Sequence, residues 1–213
     1  MSSAAFHLPA YFDYLATFSW ALSGAIVAMR KRFDIVGVFV VALLTSMGGS
    51  ILRDGLFLQR QPPVLTDIVY LPLILAAAVL ISLFRHNIAN RPVVDQLIGT
   101  IDAIGTPAFA VVGLQLALGA GIPLPGVILV GAVCGVGGGV LRDLIVREIP
   151  YILQPGQFYA LVVLLACCAF LLLTLALHLA PTAAAWATIA LFFIVRTLTI
   201  RYNWQTRALI GDD

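Results

Sequence analysis

Long apolar stretches follow one another along almost the whole sequence, separated only by short polar or Pro/Gly-containing links. Seven of them approach the ~20 residues that a helix needs to cross the hydrocarbon core of a bilayer. Only 10% of the residues are charged and 62% are hydrophobic, whereas a soluble domain carries about 25% charged residues. The sequence therefore predicts an all-α integral membrane protein with seven transmembrane helices. The predicted spans cover residues 12–29, 35–52, 69–84, 97–118, 126–141, 158–177 and 182–200.

Positive charges are concentrated at alternate ends of these spans. If the N-terminus lies outside, ten arginines and lysines fall at the inner ends, and only Arg53 and Arg60 fall at the outer ends. Cytoplasmic links of membrane proteins carry an excess of Lys and Arg. We therefore expect a multi-pass protein with its N-terminus outside and its C-terminus in the cytoplasm.

The first half of the sequence recurs in the second half at an offset of 89 residues. Residues 12–54 align with residues 101–143 without a gap, and GGSILRD at 48–54 matches GGGVLRD at 137–143. Each copy contains three spans, so the second copy would enter the membrane from the side opposite to the first. The alignment predicts two inverted three-helix repeats, residues 12–88 and 97–178, followed by a seventh helix and cytoplasmic tail at residues 181–207.

Glycine clusters lie near the ends of the second and fifth spans, at Gly48-Gly49 and between Gly135 and Gly139. Irregular backbone at membrane depth is tolerated only where protein or a water-filled cavity satisfies the freed carbonyl groups. We interpret the clusters as breaks in the two helices, whose released carbonyls could help to coordinate a cation. The alternative is close helix packing, because small residues let two backbones approach.

Charged residues also recur at matched positions in the two copies. Each copy has an aspartate at the start of its first span and an Arg-Asp pair at the end of its second, on the same side of the membrane. A threonine follows each aspartate by four residues and shares its helix face. One interpretation is a polar lining at each mouth that attracts cations; the other is an Asp–Arg bridge that fixes helix packing, and the two are compatible. The residues are Asp13, Thr17, Arg53 and Asp54, and Asp102, Thr106, Arg142 and Asp143.

Several other functions are not indicated. The sequence shows no nucleophile–base pair, phosphate-binding loop or metal-ligand spacing, so we expect neither an enzyme nor a metal site. A net charge of +2 gives no indication of a nucleic-acid partner.

The two tandem units, each with Asp-x3-Thr in the first helix and Gly-Gly-x3-Arg-Asp at the end of the second, resemble the prokaryotic trimeric intracellular cation (TRIC) channels. That family overlaps a group of small bacterial membrane proteins labelled glycine transporters. The resemblance covers roughly residues 13–177. It implies a homotrimer in the bacterial inner membrane, in contact with lipid, with a potassium- and sodium-conducting pore through each protomer.

The resemblance also implies which residues form the pathway. The pore is lined by the second and fifth helices, broken at their glycine motifs, and the expected bound components are transported monovalent cations and lipid, with no cofactor. Animal members of the family place a lysine in this region, whereas the only lysine here is Lys31. The pathway positions are Gly48, Gly49, Ser50, Arg53, Asp54, Gly137, Gly138, Gly139, Arg142 and Asp143, with Asp13, Thr17, Asp102 and Thr106 beside them.

The residues alone leave a second function open. Inverted repeats with discontinuous helices are typical of secondary transporters, and helix N-termini can hold a carboxylate. A transporter for glycine or a similar small zwitterion is therefore the alternative to a channel. A purely structural membrane protein accounts least well for the matched Asp, Arg and Gly residues, and the family resemblance favours the channel.

Overall fold

The computed structural model describes residues 8–84, 91–154, 158–202 and 204, which form helices and their links. Two of the helices continue into wider π-helical turns, α2 at Arg53–Leu58 and α7 at Leu172–Ala176. A short 3-10 turn follows α6 at Tyr151–Leu153. The eight α-helices are α1 Tyr11–Arg30, α2 Ile35–Leu52, α3 Pro63–Thr66, α4 Tyr70–Leu83, α5 Arg91–Gly119, α6 Leu124–Ile145, α7 Tyr159–Leu171 and α8 Pro181–Arg201.

Six helices among the described residues are long and apolar enough to cross a membrane. The predicted third span corresponds to α4, which has only 14 residues. At 1.5 Å per residue α4 is about 21 Å long, shorter than the ~30 Å hydrocarbon core. The structure confirms an all-α membrane protein. Because α4 is short, the count of seven spans stays a prediction. The six are Tyr11–Arg30, Ile35–Leu58, Val94–Gly119, Leu124–Ile145, Tyr159–Ala176 and Pro181–Arg201.

The predicted breaks at the glycine clusters are wrong. Helix α2 continues without interruption through Gly48 and Gly49, and α6 continues through residues 135–139. Gly48, Gly49, Gly137 and Gly138 instead lie where α2 and α6 cross, whereas Gly135 faces α5 and Gly139 faces Trp20 of α1. A Cβ atom on Gly49 would collide with the carbonyl oxygen of Cys134, and one on Gly138 with the carbonyl oxygen of Thr45. The helices are regular and their glycines are in close contact with neighbouring helices, so close packing explains the clusters.

Contacts at this crossing are exchanged by the 89-residue offset. If 89 is added to the number of the α2 residue in a contact and subtracted from the number of the α6 residue, the result is another contact of the same crossing. Such reciprocity is the pattern of an interface around a local two-fold axis. The order of the pairs along the chain also shows that α2 and α6 run antiparallel. The pairs are Thr45 with Gly138, Gly49 with Cys134, Gly48 with Leu141, and Leu52 with Gly137.

Helix boundaries follow the same offset. Helices α2 and α6 begin 89 residues apart, as do α4 and α7, and α1 and α5 end 89 residues apart. The link after α1 has a left-handed residue at Arg32 (φ 60°), and the link after α5 has one at the matching Gly121 (φ 74°). The two halves therefore share their local backbone plan as well as their sequence.

The buried side chains form two apolar clusters. One joins α1, α5, α6, α7 and α8 around Phe109 and Phe170, and the other joins α1, α2 and α4 around Ile74. Large aliphatic side chains such as Leu75 and Leu165 remain exposed on the outer helices, as expected of surfaces that face lipid. The glycine crossing and the charged residues lie inside this shell.

Candidate functional site

The α2-end cluster consists of Asp13, Arg53, Asp54, Arg60 and Tyr70. Arg53 and Asp54 are completely buried, where regular α2 gives way to π-helical turns. Arg53 donates from Nε and Nη2 to the two carboxylate oxygens of Asp54, at 2.8 and 2.6 Å. Arg60, 42% exposed, donates to the same carboxylate at 2.8 Å. Buried charges require such partners because isolated ions are very costly in an apolar interior.

Asp13 does not form the predicted ion pair with Arg53. The guanidinium edge of Arg53 is taken by the neighbouring Asp54, and its Nη1 lies 3.7 Å from the Cys134 sulfur. Asp13 instead accepts a hydrogen bond from the Tyr70 hydroxyl at 2.6 Å. The second oxygen of Asp13 and the hydroxyl of Thr17 are both buried and have no hydrogen-bond partner among the described residues.

The carboxylate of Asp67 lies outside the helices that could span the membrane, in the link between α3 and α4. The Tyr14 hydroxyl donates to Asp67 Oδ2 at 2.5 Å, and the Val69 N–H donates to Asp67 Oδ1 at 2.9 Å. These two hydrogen bonds favour the charged carboxylate and hold the pKa of Asp67 below its ordinary value.

The α6-end cluster consists of Ser23, Asp102, Arg142, Asp143 and Tyr151. Arg142 donates from Nε to Asp143 at 2.9 Å, and from Nη1 to Ser23 at 2.5 Å and Asp102 at 3.2 Å. The other Asp143 oxygen accepts the Tyr151 N–H at 3.0 Å. The predicted pairing of Asp102 with Arg142 is therefore confirmed as an ion pair.

Helix α8 adds a residue to this end that sequence analysis did not assign to the site. Arg196 is buried, with its guanidinium 5.4 Å from the Tyr151 ring centre and 5.0 Å from that of Tyr159. It donates to the Tyr151 hydroxyl at 2.7 Å, and the Tyr159 hydroxyl lies 2.7 Å from the Thr106 hydroxyl. An arginine inside an apolar span is itself a signal of a functional or structural role.

A narrow open cleft with a volume of about 20 Å³ adjoins the α6-end cluster. Its wall combines carboxylates, a guanidinium and aromatic rings, so it can hold water and small polar species. Trp20 of α1 forms part of this wall. The lining residues include Trp20, Asp102, Gly139, Arg142, Asp143, Tyr151 and Tyr159.

A stripe on α1 connects the two clusters. Asp13, Thr17 and Trp20 lie one turn apart on the same helix face, and each has a buried polar atom without a hydrogen-bond partner among the described residues. Further along α1, Ser23 binds Arg142 of the opposite cluster. Buried polar atoms are normally hydrogen-bonded, so we expect water or ions to reach this stripe.

The remaining predicted site residues have structural positions. Gly48, Gly49, Gly137 and Gly138 lie at the helix crossing, and the Ser50 hydroxyl donates to the Met47 carbonyl at 2.9 Å. In the part of the chain that the structure describes, His, Cys, Asp and Glu side chains form no group that could hold a metal ion.

Comparison with protein families finds one model that matches this chain twice. The family is described as Glycine transporter, and its model matches residues 10–86 and again residues 99–175. The two matches begin 89 residues apart, the offset found within the sequence and between the helix boundaries.

Curated relatives include small bacterial membrane proteins. A UPF0126 membrane protein of Deinococcus radiodurans is 36% identical over 151 residues, which cover 70% of this chain and 69% of the relative. A UPF0126 membrane protein of Bacillus subtilis, YvgT, is 29% identical over 190 residues, covering 88% and 89% of the two chains.

Solved structures with the same fold are described as cation channels. A prokaryotic TRIC channel in 0.5 M KCl is 30% identical, with a TM-score of 0.82 over 91% of this chain and 96% of that one. A TRIC orthologue from Rhodobacter sphaeroides is 29% identical, with a TM-score of 0.82 over 90% and 96%. A Caenorhabditis channel at 19% identity and a TM-score of 0.61 over 96% and 94% shows the shared fold alone. The similar proteins are membrane channels or transporter-like proteins, not enzymes.

Proposed function

We propose that this chain, which belongs to the Glycine transporter (UPF0126) family, is a channel that conducts potassium and other monovalent cations. One observation carries the proposal: the fold matches prokaryotic TRIC cation channels over nine-tenths of the chain at 28–30% sequence identity. The buried charges at both ends of α1 support it, since charges inside a membrane span mark ion pathways when they are not purely structural.

The proposed pathway runs beside the glycine crossing rather than through broken helices. Contact between the backbones of α2 and α6 at Gly49 and Gly138 leaves no space there. The α1 stripe offers the alternative, because the unpartnered oxygens of Asp13 in the α2-end cluster and of Thr17 one turn further along α1 lead toward the α6-end cluster. Its mouths would be the α2-end cluster, with Arg53, Asp54 and the adjoining Ser50, and the α6-end cluster, with Asp102, Thr106, Gly139, Arg142 and Asp143.

We further propose the arrangement in the membrane. Inverted repeats at residues 12–88 and 97–178, with the seventh helix at 181–207, are supported by the reciprocal contacts and matched helix boundaries. In this arrangement α4 is the third of seven spans, and the N-terminus faces outward from the bacterial inner membrane. A lipid-embedded homotrimer is supported by the match to a structure described as a trimeric intracellular cation channel.

Recording from purified protein in planar lipid bilayers tests the function. We expect unitary currents whose reversal potential follows the potassium gradient and not the chloride gradient. Uptake of labelled glycine into proteoliposomes serves as the companion measurement. Saturable glycine uptake without unitary cation currents would contradict the channel and favour the transporter.

A further inference from the structure

Trp20 stands where the α6-end cleft meets the α1 stripe. Its side chain is 1% exposed, although it forms part of the cleft wall. A Cβ atom on Gly139 would lie 2.8 Å from the indole Cη2, and one on Gly105 would lie 2.8 Å from Cδ1. The ring therefore packs directly against Gly105 of α5 and Gly139 of α6, and a side chain at either position would collide with it.

Trp20 lies beside charged groups of the cleft and belongs to the α1 stripe. The cleft is also lined by Asp102 and by Arg142, whose guanidinium lies 5.6 Å from the Trp20 ring centre. One turn back along α1 is the buried Thr17 hydroxyl, and a further turn back is the unpartnered oxygen of Asp13; neither residue lines the cleft. Trp20 is thus the member of the α1 stripe that the cleft reaches.

The indole is also suited to move. Its Nε1 is buried without a hydrogen-bond partner among the described residues, so displacement breaks no hydrogen bond and lets water satisfy the N–H. The polar contact that holds the ring in place is the cation–π contact with Arg142.

The residue at the matching position of the other repeat has a different environment. It is Phe109, 89 positions after Trp20, which is equally buried and belongs to the same apolar cluster but is not among the residues that line this cleft. Phe109 is therefore a buried aromatic residue, matched to Trp20 by the repeat, outside the cleft.

We propose that Trp20 is the constriction of the conduction pathway and sets the size of the cation that passes. The inference rests on the proposed channel function and adds the residue that determines specificity. With the indole in place, the cleft ends at Trp20; when the ring swings aside, the cleft continues along Thr17 and Asp13.

Bilayer recording of Trp20→Phe and Trp20→Ala tests the proposal, with Phe109→Ala as the matched buried control. We expect potassium conductance to rise several-fold in the order Trp, Phe, Ala. The permeability of dimethylammonium relative to potassium should rise in the same order, while Phe109→Ala leaves the permeability ratio at its original value. Unchanged ratios in both Trp20 variants would overturn the proposal, and Trp20→Phe keeps the test open if Trp20→Ala does not fold.

A second readout does not depend on current. Thr17→Cys in proteoliposomes is treated with a small charged methanethiosulfonate reagent, and labelling is compared with protein that retains Thr17. We expect labelling several-fold faster when Trp20→Phe is added. Equal rates would refute the constriction even if the channel conducts, whereas faster labelling without any current would leave the constriction intact and contradict the channel function.

Discussion

The glycine crossing allows a quantitative test of why these residues are glycine. In Gly49→Ala the new methyl group meets the Cys134 carbonyl oxygen, and in Gly138→Ala it meets the Thr45 carbonyl oxygen. A helix carbonyl cannot rotate away without breaking its own hydrogen bond, so α2 and α6 must move apart. Overpacking of this kind costs about 1–3 kcal/mol, and we expect each variant to fall in that range.

Two other glycines provide graded controls. A methyl group at Gly48 first meets the flexible Leu141 side chain, at 2.6 Å, so Gly48→Ala should cost less than Gly49→Ala. A methyl group at Gly99 in α5 would have open space around it, with nothing within 4 Å. Helices remain formed in the unfolded membrane state, so the usual gain of about 0.5–1 kcal/mol for Gly→Ala is reduced and Gly99→Ala should be close to neutral.

Unfolding in mixed detergent–SDS micelles, followed by circular dichroism or tryptophan fluorescence, measures these differences. The double variant Gly49→Ala/Gly138→Ala should cost less than the sum of the single variants, because both methyl groups separate the same pair of helices. Gly49→Ala and Gly138→Ala proteins as stable as Gly99→Ala would refute close contact at the crossing. That result would instead favour a helix break at the glycine clusters.

Two further predictions concern charged groups. Arg53→Leu removes the bidentate partner of the buried Asp54 and should cost about 3–5 kcal/mol, whereas Arg60→Leu removes a partly exposed partner and should cost about 0–1 kcal/mol; equal losses in the SDS titration would contradict this difference. Tyr14→Phe removes a hydrogen bond to charged Asp67 and should raise the Asp67 pKa toward its ordinary value, as measured by NMR titration. The hydrogen bond favours the folded state above the unfolded pKa of Asp67, and this contribution is lost as pH falls through the lower folded pKa.

Sequence periodicity and the internal repeat predicted most of the architecture. Predicted span 35–52 coincides with α2, and the 89-residue offset recurs in helix boundaries that were not used to find it. The Asp102–Arg142 pair was predictable because both residues fall at one membrane side in the same copy. These features depend on hydropathy and chain order, which a sequence records directly.

The predictions that were wrong or missing concern residues whose structure depends on a neighbouring helix or side chain. Glycine clusters suit both a helix break and a close crossing, and only the backbone of the opposite helix at Cys134 and Thr45 distinguishes the two. The Asp13–Arg53 pair was predicted from depth alone, but the adjacent Asp54 occupies the guanidinium. Arg196 was not assigned to the site because α8 lies outside the repeat, so sequence analysis had no matched position with which to compare it.

The two ends share three matched positions and also a balance of charge. Each end has two aspartates and one arginine at matched positions, together with a second arginine from a position without a counterpart in the other repeat. Burial of charge is least costly when opposite charges are paired, and the second arginine at each end balances the formal charge of the duplicated Asp–Asp–Arg set. The formal charges of the four residues at each end sum to zero, although one oxygen of Asp13 has no hydrogen-bond partner among the described residues. The sets are Asp13, Asp54, Arg53 and Arg60 at the α2 end, and Asp102, Asp143, Arg142 and Arg196 at the α6 end.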